Sequence, residues 1–165
     1  MENENVQNNN IIDAVDTGTA PQLSLEEKLI KMRQDWTQEV EKLSADLKSL
    51  PTLDNMLNNV FVKRQNAVDM YYATIGVYQK QLREYKKQYA ELYNKLKLGT
   101  NGIRYTTEQS INMQIEAQLS DVLEIINELR TFTDFMLETI KTIDGIQYAI
   151  TSKIKVHELI NGLKY

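Results

Sequence analysis

The sequence predicts an all-α protein, an elongated helical hairpin or bundle with coiled-coil seams that assembles into a homo-oligomer. Three observations lead there. Only six Gly, two Pro and three Phe occur in 165 residues, and no stretch alternates apolar and polar residues at period two over the length of a strand. Residues 71–96 keep an unbroken 4-3 apolar repeat of Tyr71, Ile75, Tyr78, Leu82, Tyr85, Tyr89, Leu92 and Leu96, which is a helix with one seam made to meet another helix. A second 4-3 repeat runs through Ile115, Leu119, Val122, Ile126, Leu129, Thr133, Met136, Ile140, Ile143, Gln147, Ile150 and Ile154. Seams of this length leave apolar stripes open on a single small chain, and self-association closes them.

The elements follow in order. Residues 1–22 are rich in Asn, Asp, Glu, Thr and Gly without a sustained period, the composition of a disordered tail with no role of its own. Residues 23–165 read as one helical oligomerisation domain. The first helix opens at Ser24, because Ser24 and Glu27 form a capping-box pattern ahead of Leu25, Leu29, Met32, Trp36, Val40, Leu43 and Leu47. Trp36 lies on that seam and is expected to be buried, and Pro51 ends the helix. The second helix runs from Leu53 to Leu98, stopped by the turn Gly99, Thr100, Asn101, Gly102. The third starts near Thr106. Thr133 and Gln147 interrupt its seam as register-setting positions do. Asp144 and Gly145 mark a break, since a mid-helix Gly costs about 1 kcal/mol relative to Ala. A short fourth helix then spans 146–161 and stops at Asn161 and Gly162.

Composition narrows the chemistry. The chain has no cysteine, which removes disulfides, thiol nucleophiles and Cys-based zinc sites. His157 is the only histidine, so one chain assembles neither a His-based triad nor a two-histidine metal site. Asp121, Glu124 and Glu128 share a helical face and are expected to be solvated charges rather than metal ligands. The glycines of the 99–102 turn lack the preceding strand and following Lys-Ser/Thr of a phosphate loop. Neither catalytic residues, nor a metal, nor a cofactor is expected. The N-terminus lacks the basic and apolar regions of a secretory signal, and no run of about 18 apolar residues spans a bilayer. The expectation is a soluble, cytoplasmic, non-enzymatic protein without a membrane partner.

Charge is segregated. The net charge is −4, yet residues 1–59 hold five Lys/Arg against eleven Asp/Glu, residues 60–104 nine against three, and residues 105–165 five against nine. With Leu82 and Tyr85 at heptad positions a and d, Lys80 and Lys87 fall at f and Arg83 and Lys97 at b, away from the seam. Together with Lys86 and Lys95 these cations cover about 25 Å of helix, enough to follow several phosphates of a single strand. Glu84 and Glu91 dilute the stripe. Tyr72 and Tyr93 lie off the seam, where stacking on bases is open to them, whereas Tyr71, Tyr78, Tyr85 and Tyr89 are core residues by phase. The same stripe equally suits pairing with the acidic third helix of a neighbouring copy, which leaves a structural coiled-coil role open.

Four segments carry a resemblance: LDNMLNNVFVKRQ at 53–65, LYNKLKLGTNG at 92–102, the Arg104-Tyr105 pair, and FMLETIKTIDGIQYAITSKIKVHELING at 135–162. In order and spacing they resemble the UvsY-type recombination mediators of T-even-like phages, from about residue 25 to the end. The resemblance implies a non-enzymatic homo-oligomer that binds single-stranded DNA and helps a RecA-like recombinase replace the single-strand-binding protein, in a host cytoplasm if phage-encoded. It places DNA contact on Lys95 and Lys97 before the Gly turn, then on Lys86 and Lys87, with Arg104 beyond it. The alternative is a phage structural protein: a scaffold, adaptor or cargo protein.

Overall fold

The computed structural model describes residues 23–47, 53–99 and 107–162. The expected tail at 1–22, Pro51, most of the Gly turn, Arg104 and Tyr105 lie outside the described residues. Among the described residues there are four helices: α1 (Leu25–Asp46), α2 (Leu53–Leu98), α3 (Glu108–Gln118) and α4 (Ser120–Gly162). Among the described residues there is no strand.

Local chemistry sets the helix ends. At the start of α1 the Ser24 hydroxyl accepts the Glu27 N–H at 3.1 Å while the Glu27 carboxylate accepts the Ser24 N–H at 2.8 Å, a reciprocal cap for two orphan donors. The far end of α1 has no basic residue of its own in the last turn. Lys153 of α4 supplies one, donating to the Leu47 carbonyl at 2.5 Å and placing a cation where the helix dipole favours it. Helix α2 stops where Gly99 takes a φ of 79°, a left-handed conformation that other residues adopt at a cost. Thr107 caps α3 by accepting the Ser110 N–H at 3.3 Å.

Two expectations about the C-terminal half are corrected. The helix does not break at Gly145; α4 passes through it to Gly162. Ile143 and Ile146 on either side are buried, and Asp144 is held by Arg64 of α2 at 2.6 Å, so tertiary contacts outweigh the intrinsic cost of the glycine. A Cβ added at Gly145 meets nothing within 4 Å. Gly145→Ala is therefore expected to raise stability by about 0.5–1 kcal/mol, seen as a higher urea midpoint with unchanged slope. The interruption lies instead at Leu119, whose φ of −107° and ψ of 14° leave the helical range. The i→i−4 bonds continue across it, from the Leu119 N–H to Ile115 and from the Leu123 N–H to Leu119, both at 2.9 Å. The Ser120 hydroxyl bonds back to the Ala117 carbonyl at 3.3 Å, a local competitor of the kind that bends helices.

The chain divides into two units, Met1–Ala73 with Phe132–Tyr165, and Thr74–Thr131. In the first, Arg33 lies over the ring of Phe135 and Leu47 meets Lys153, so α1 and this part of α4 run parallel. Helix α2 returns along α1, pairing Lys63 with Glu39 at 2.8 Å. The hydrogen bond from Lys63 holds the Glu39 carboxyl below its ordinary value, against the opposing effect of burial. The core combines Leu29 and Leu43 of α1, Met56, Val60 and Ala67 of α2, and Phe132, Met136, Thr139, Ile140, Ile143, Ile146 and Ile150 of α4. Trp36 is half-buried between Leu29 and Leu43 on the seam of α1. In the second unit, the Tyr89 hydroxyl donates to Asn112 at 2.7 Å and the Tyr93 hydroxyl to Glu108 at 3.3 Å. The two pairs advance in opposite directions, so α2 and α3 form an antiparallel hairpin around Ile111, Ile115 and Leu119.

Along α4 the buried line is the predicted one at Ile126, Leu129, Met136, Ile140, Ile143 and Ile150; it departs from the repeat at the two polar positions, and in α2. In α4, Phe132 and Ile146 are buried while Thr133 and Gln147 are half-buried beside them, so the two polar residues flank the core and do not interrupt it. In α2 none of the eight seam residues is fully buried; Val60, Ala67 and Thr74 are, each at 0% exposure. These recur every seven residues on a line about 50° round the helix from Tyr71, Tyr78 and Tyr85. Small side chains are the kind that short interaxial distances between packed helices call for.

Candidate nucleic-acid interface

Because α2 turns the Val60–Ala67–Thr74 line inward, its opposite side faces solvent. That side carries Gly76, Lys80, Arg83, Lys87, Ala90, Asn94 and Lys97, alternately three and four residues apart and all exposed. They form one straight line at heptad positions b and f. Lys80, Arg83 and Lys87 present one cation per turn, with Lys86 a step to one side, and among the described residues no ion pair engages any of these four. Uncommitted exposed cations keep their full attraction for an external anion. The small side chains of Gly76 and Ala90 leave room for a ligand to approach the helix.

Glu84 and Glu91 are exposed on a line of their own to one side of this spine, and Glu84 accepts a hydrogen bond from Gln88 at 3.2 Å. The acids therefore border the cationic line without interrupting it. Lys95 is exposed as well, yet its position in the repeat is adjacent to the seam and off the spine. Of the seven cations singled out from the sequence, Lys80, Arg83, Lys87 and Lys97 share the spine, Lys86 stands to one side of it, Lys95 falls off it, and Arg104 is outside the described residues.

The seam tyrosines and leucines behave differently. Tyr85, Tyr89, Leu92 and Leu96 pack against the Ile111–Ile115–Leu119 cluster of the same chain, and Tyr71, Ile75, Tyr78 and Leu82 are half-buried. Burial, followed by the electrostatic effects of Tyr89 and Glu116, pushes the Tyr85 hydroxyl above its ordinary value. Tyr93, expected off the core, also packs on this cluster. Its ring lies nearly parallel to that of Tyr89, at 13° and 6.5 Å between centroids, and Lys97 rests over it at 5.4 Å. Tyr72 alone of the off-seam pair is open, 66% exposed and edge-on to Tyr71. The spacing of Gly76, Ala90 and Asn94 was visible in the sequence, but an apolar repeat search passes over small and polar residues. The support that Tyr93 gives Lys97 had only its i, i+4 spacing as a signal.

Other chemistry is thin. Among the described residues no group of three metal-ligating side chains occurs. His157 is exposed, with its ring Nδ1 3.1 Å from the side-chain amide of Asn161. No described helix is long and apolar enough to cross a membrane. No protein-family model matches the chain, and no curated protein or solved structure matches it either.

Proposed function

We propose that this protein is a recombination mediator, a homo-oligomer that binds single-stranded DNA along the α2 spine and helps a RecA-like recombinase take the place of single-strand-binding protein. The observation that carries this reading is the line of exposed cations on the side of α2 opposite its buried face. One such line holds three to five phosphates and binds weakly at physiological salt. Copies in an oligomer multiply effective concentration, so affinity grows with assembly. The half-buried seam supports self-association, because an intrachain partner covers only part of it. In this reading the protein is not an enzyme, needs no cofactor and works in the cytoplasm. Its reagents are single-stranded DNA, the recombinase and the single-strand-binding protein. The test is recombinase loading on DNA already coated with single-strand-binding protein: adding this protein should shorten the delay before filaments form, and an unchanged delay at saturating protein would end the proposal.

The structural coiled-coil reading draws on a different observation. The outer face of α3 and the start of α4 exposes Glu116, Asp121 and Glu124, which a neighbour's cationic spine would complement. A chain of that kind, the scaffold, adaptor or cargo protein of a phage, has no call on DNA. Both readings require assembly. Leu82→Asp is expected to dissociate the oligomer, because it sets an unpaired carboxylate in the seam at a cost of several kcal/mol. Sedimentation velocity checks it; a wild-type chain that is already monomeric at micromolar concentration contradicts both readings.

A further inference from the structure

We infer that Tyr93 is a positioning residue for the DNA surface, holding Lys97 in place at the end of the cationic spine; this rests on the proposal that the spine binds single-stranded DNA. Lysine is a poor fixed contact on its own, since four rotatable bonds let the ammonium wander. Lys97 stands on the last turn of α2, where the chain is about to leave the helix at Gly99. What restrains it is the Tyr93 ring, one turn earlier, with the ammonium 5.4 Å from the centroid, within the range of a cation–π contact.

The ring itself is fixed from three directions. Its other neighbour is Tyr89, nearly parallel at 13°. The side chain packs on the Ile111–Ile115–Leu119 cluster. Its hydroxyl donates to the Glu108 carboxylate at 3.3 Å in the first turn of α3. Tyr89 is tied in turn to Asn112 at 2.7 Å. The α2–α3 hairpin therefore ends in a two-rung tyrosine ladder, and Lys97 lies on its outermost ring. Lys80, Arg83 and Lys87 have no aromatic ring among the described residues to hold them, so Lys97 is the cation on the spine whose position is built by the fold. A phosphate bound there meets an ammonium that is already placed, which lowers the ordering cost of contact.

Binding of the full-length protein to a fluorescent oligo-dT, followed by anisotropy over a range of salt, tests this with four chains: wild type, Tyr93→Leu, Tyr93→Phe and Lys97→Ala. Tyr93→Leu keeps an apolar group on the core and removes the ring face. Its log-log salt slope should fall in magnitude towards that of Lys97→Ala, a change of up to about 0.7, with affinity down about two- to fivefold near 0.1 M salt. Tyr93→Phe, which retains the ring, should restore the wild-type slope. Adding Tyr93→Leu to Lys97→Ala should change the slope no further. A Tyr93→Leu chain that loses affinity at an unchanged slope overturns the inference in favour of direct base stacking, and one with wild-type affinity and slope overturns it outright while leaving the DNA-binding proposal intact. A wild type that binds no DNA ends the parent proposal and this one with it. A readout that needs no DNA is the NMR shift of the isotopically dimethylated Lys97 ammonium. The ring current should displace it in wild type and in Tyr93→Phe and release it in Tyr93→Leu; equal shifts in all three show that the ring does not hold the lysine.

Discussion

Replacing Phe132 with Ala should lower the free energy of unfolding by about 3–5 kcal/mol, the loss of a large aromatic from a closed site. Phe132 is fully buried at 0% exposure, and its ring sits 6.0 Å from that of Phe135 at 36°, so the cavity left behind has stiff walls. Against a total stability of about 5–15 kcal/mol for a domain of ordinary size, this is enough to unfold much of the population on mild heating. The same physics predicts unequal effects at an adjacent pair further along α4. Ile146→Ala should cost about 2–5 kcal/mol and Gln147→Ala less than about 1 kcal/mol. Urea denaturation of the variants measures both. Equal losses at 146 and 147 would contradict the placement of Ile146 in the core with Gln147 at its edge.

The second large effect concerns binding. Lys80→Ala, Arg83→Ala and Lys87→Ala combined should weaken single-stranded DNA binding by about a hundredfold near 0.1 M salt, since each phosphate contact to a single strand contributes about 0.7 to the log-log salt slope and three are removed. The loss should be the same for all base sequences, because contacts to phosphates carry no sequence information. All three side chains are exposed and lie away from the seam, so helix content and oligomeric mass should not change. Retained affinity in the triple variant would move the DNA surface elsewhere on the chain. Loss of oligomeric mass would instead place the spine in a contact between copies, as the structural reading has it.

Much of the fold could be read from the sequence where a single residue type decides a local event. The Ser24–Glu27 capping box and the stop at Gly99 are of this kind, and α2 has the bounds Leu53 and Leu98 that its flanking signals predict. What could not be read was the choice between adjacent lines on one helix. A 4-3 search favours large apolar residues and so selected Tyr71, Tyr78 and Tyr85, while the residues buried in α2 include the small Ala67 and Thr74. In α4 the search kept a strict spacing through Thr133 and Gln147, though Phe132 and Ile146 lay one residue away. Gly145 was read by its intrinsic propensity, but the buried isoleucines and the Arg64 contact beside it decide the helix. The bend at Leu119 depends on a hydroxyl bonding to its own backbone, which no periodicity reports. For the candidate site, the cations and their outward phase were legible because charge at positions b and f needs only a helix. The tyrosine ladder under Lys97 was not, since it depends on where α3 returns against α2.

The proposed function requires the α2 spine to hold single-stranded DNA by its phosphates. Its most direct test is anisotropy of a labelled oligo-dT titrated with the full-length chain at salt from about 50 to about 200 mM, with sedimentation run on the same samples. Saturable binding by the oligomer is expected, falling linearly on a log-log plot with a slope of about −2 or steeper. No binding at the lowest salt, or binding indifferent to salt, would contradict it.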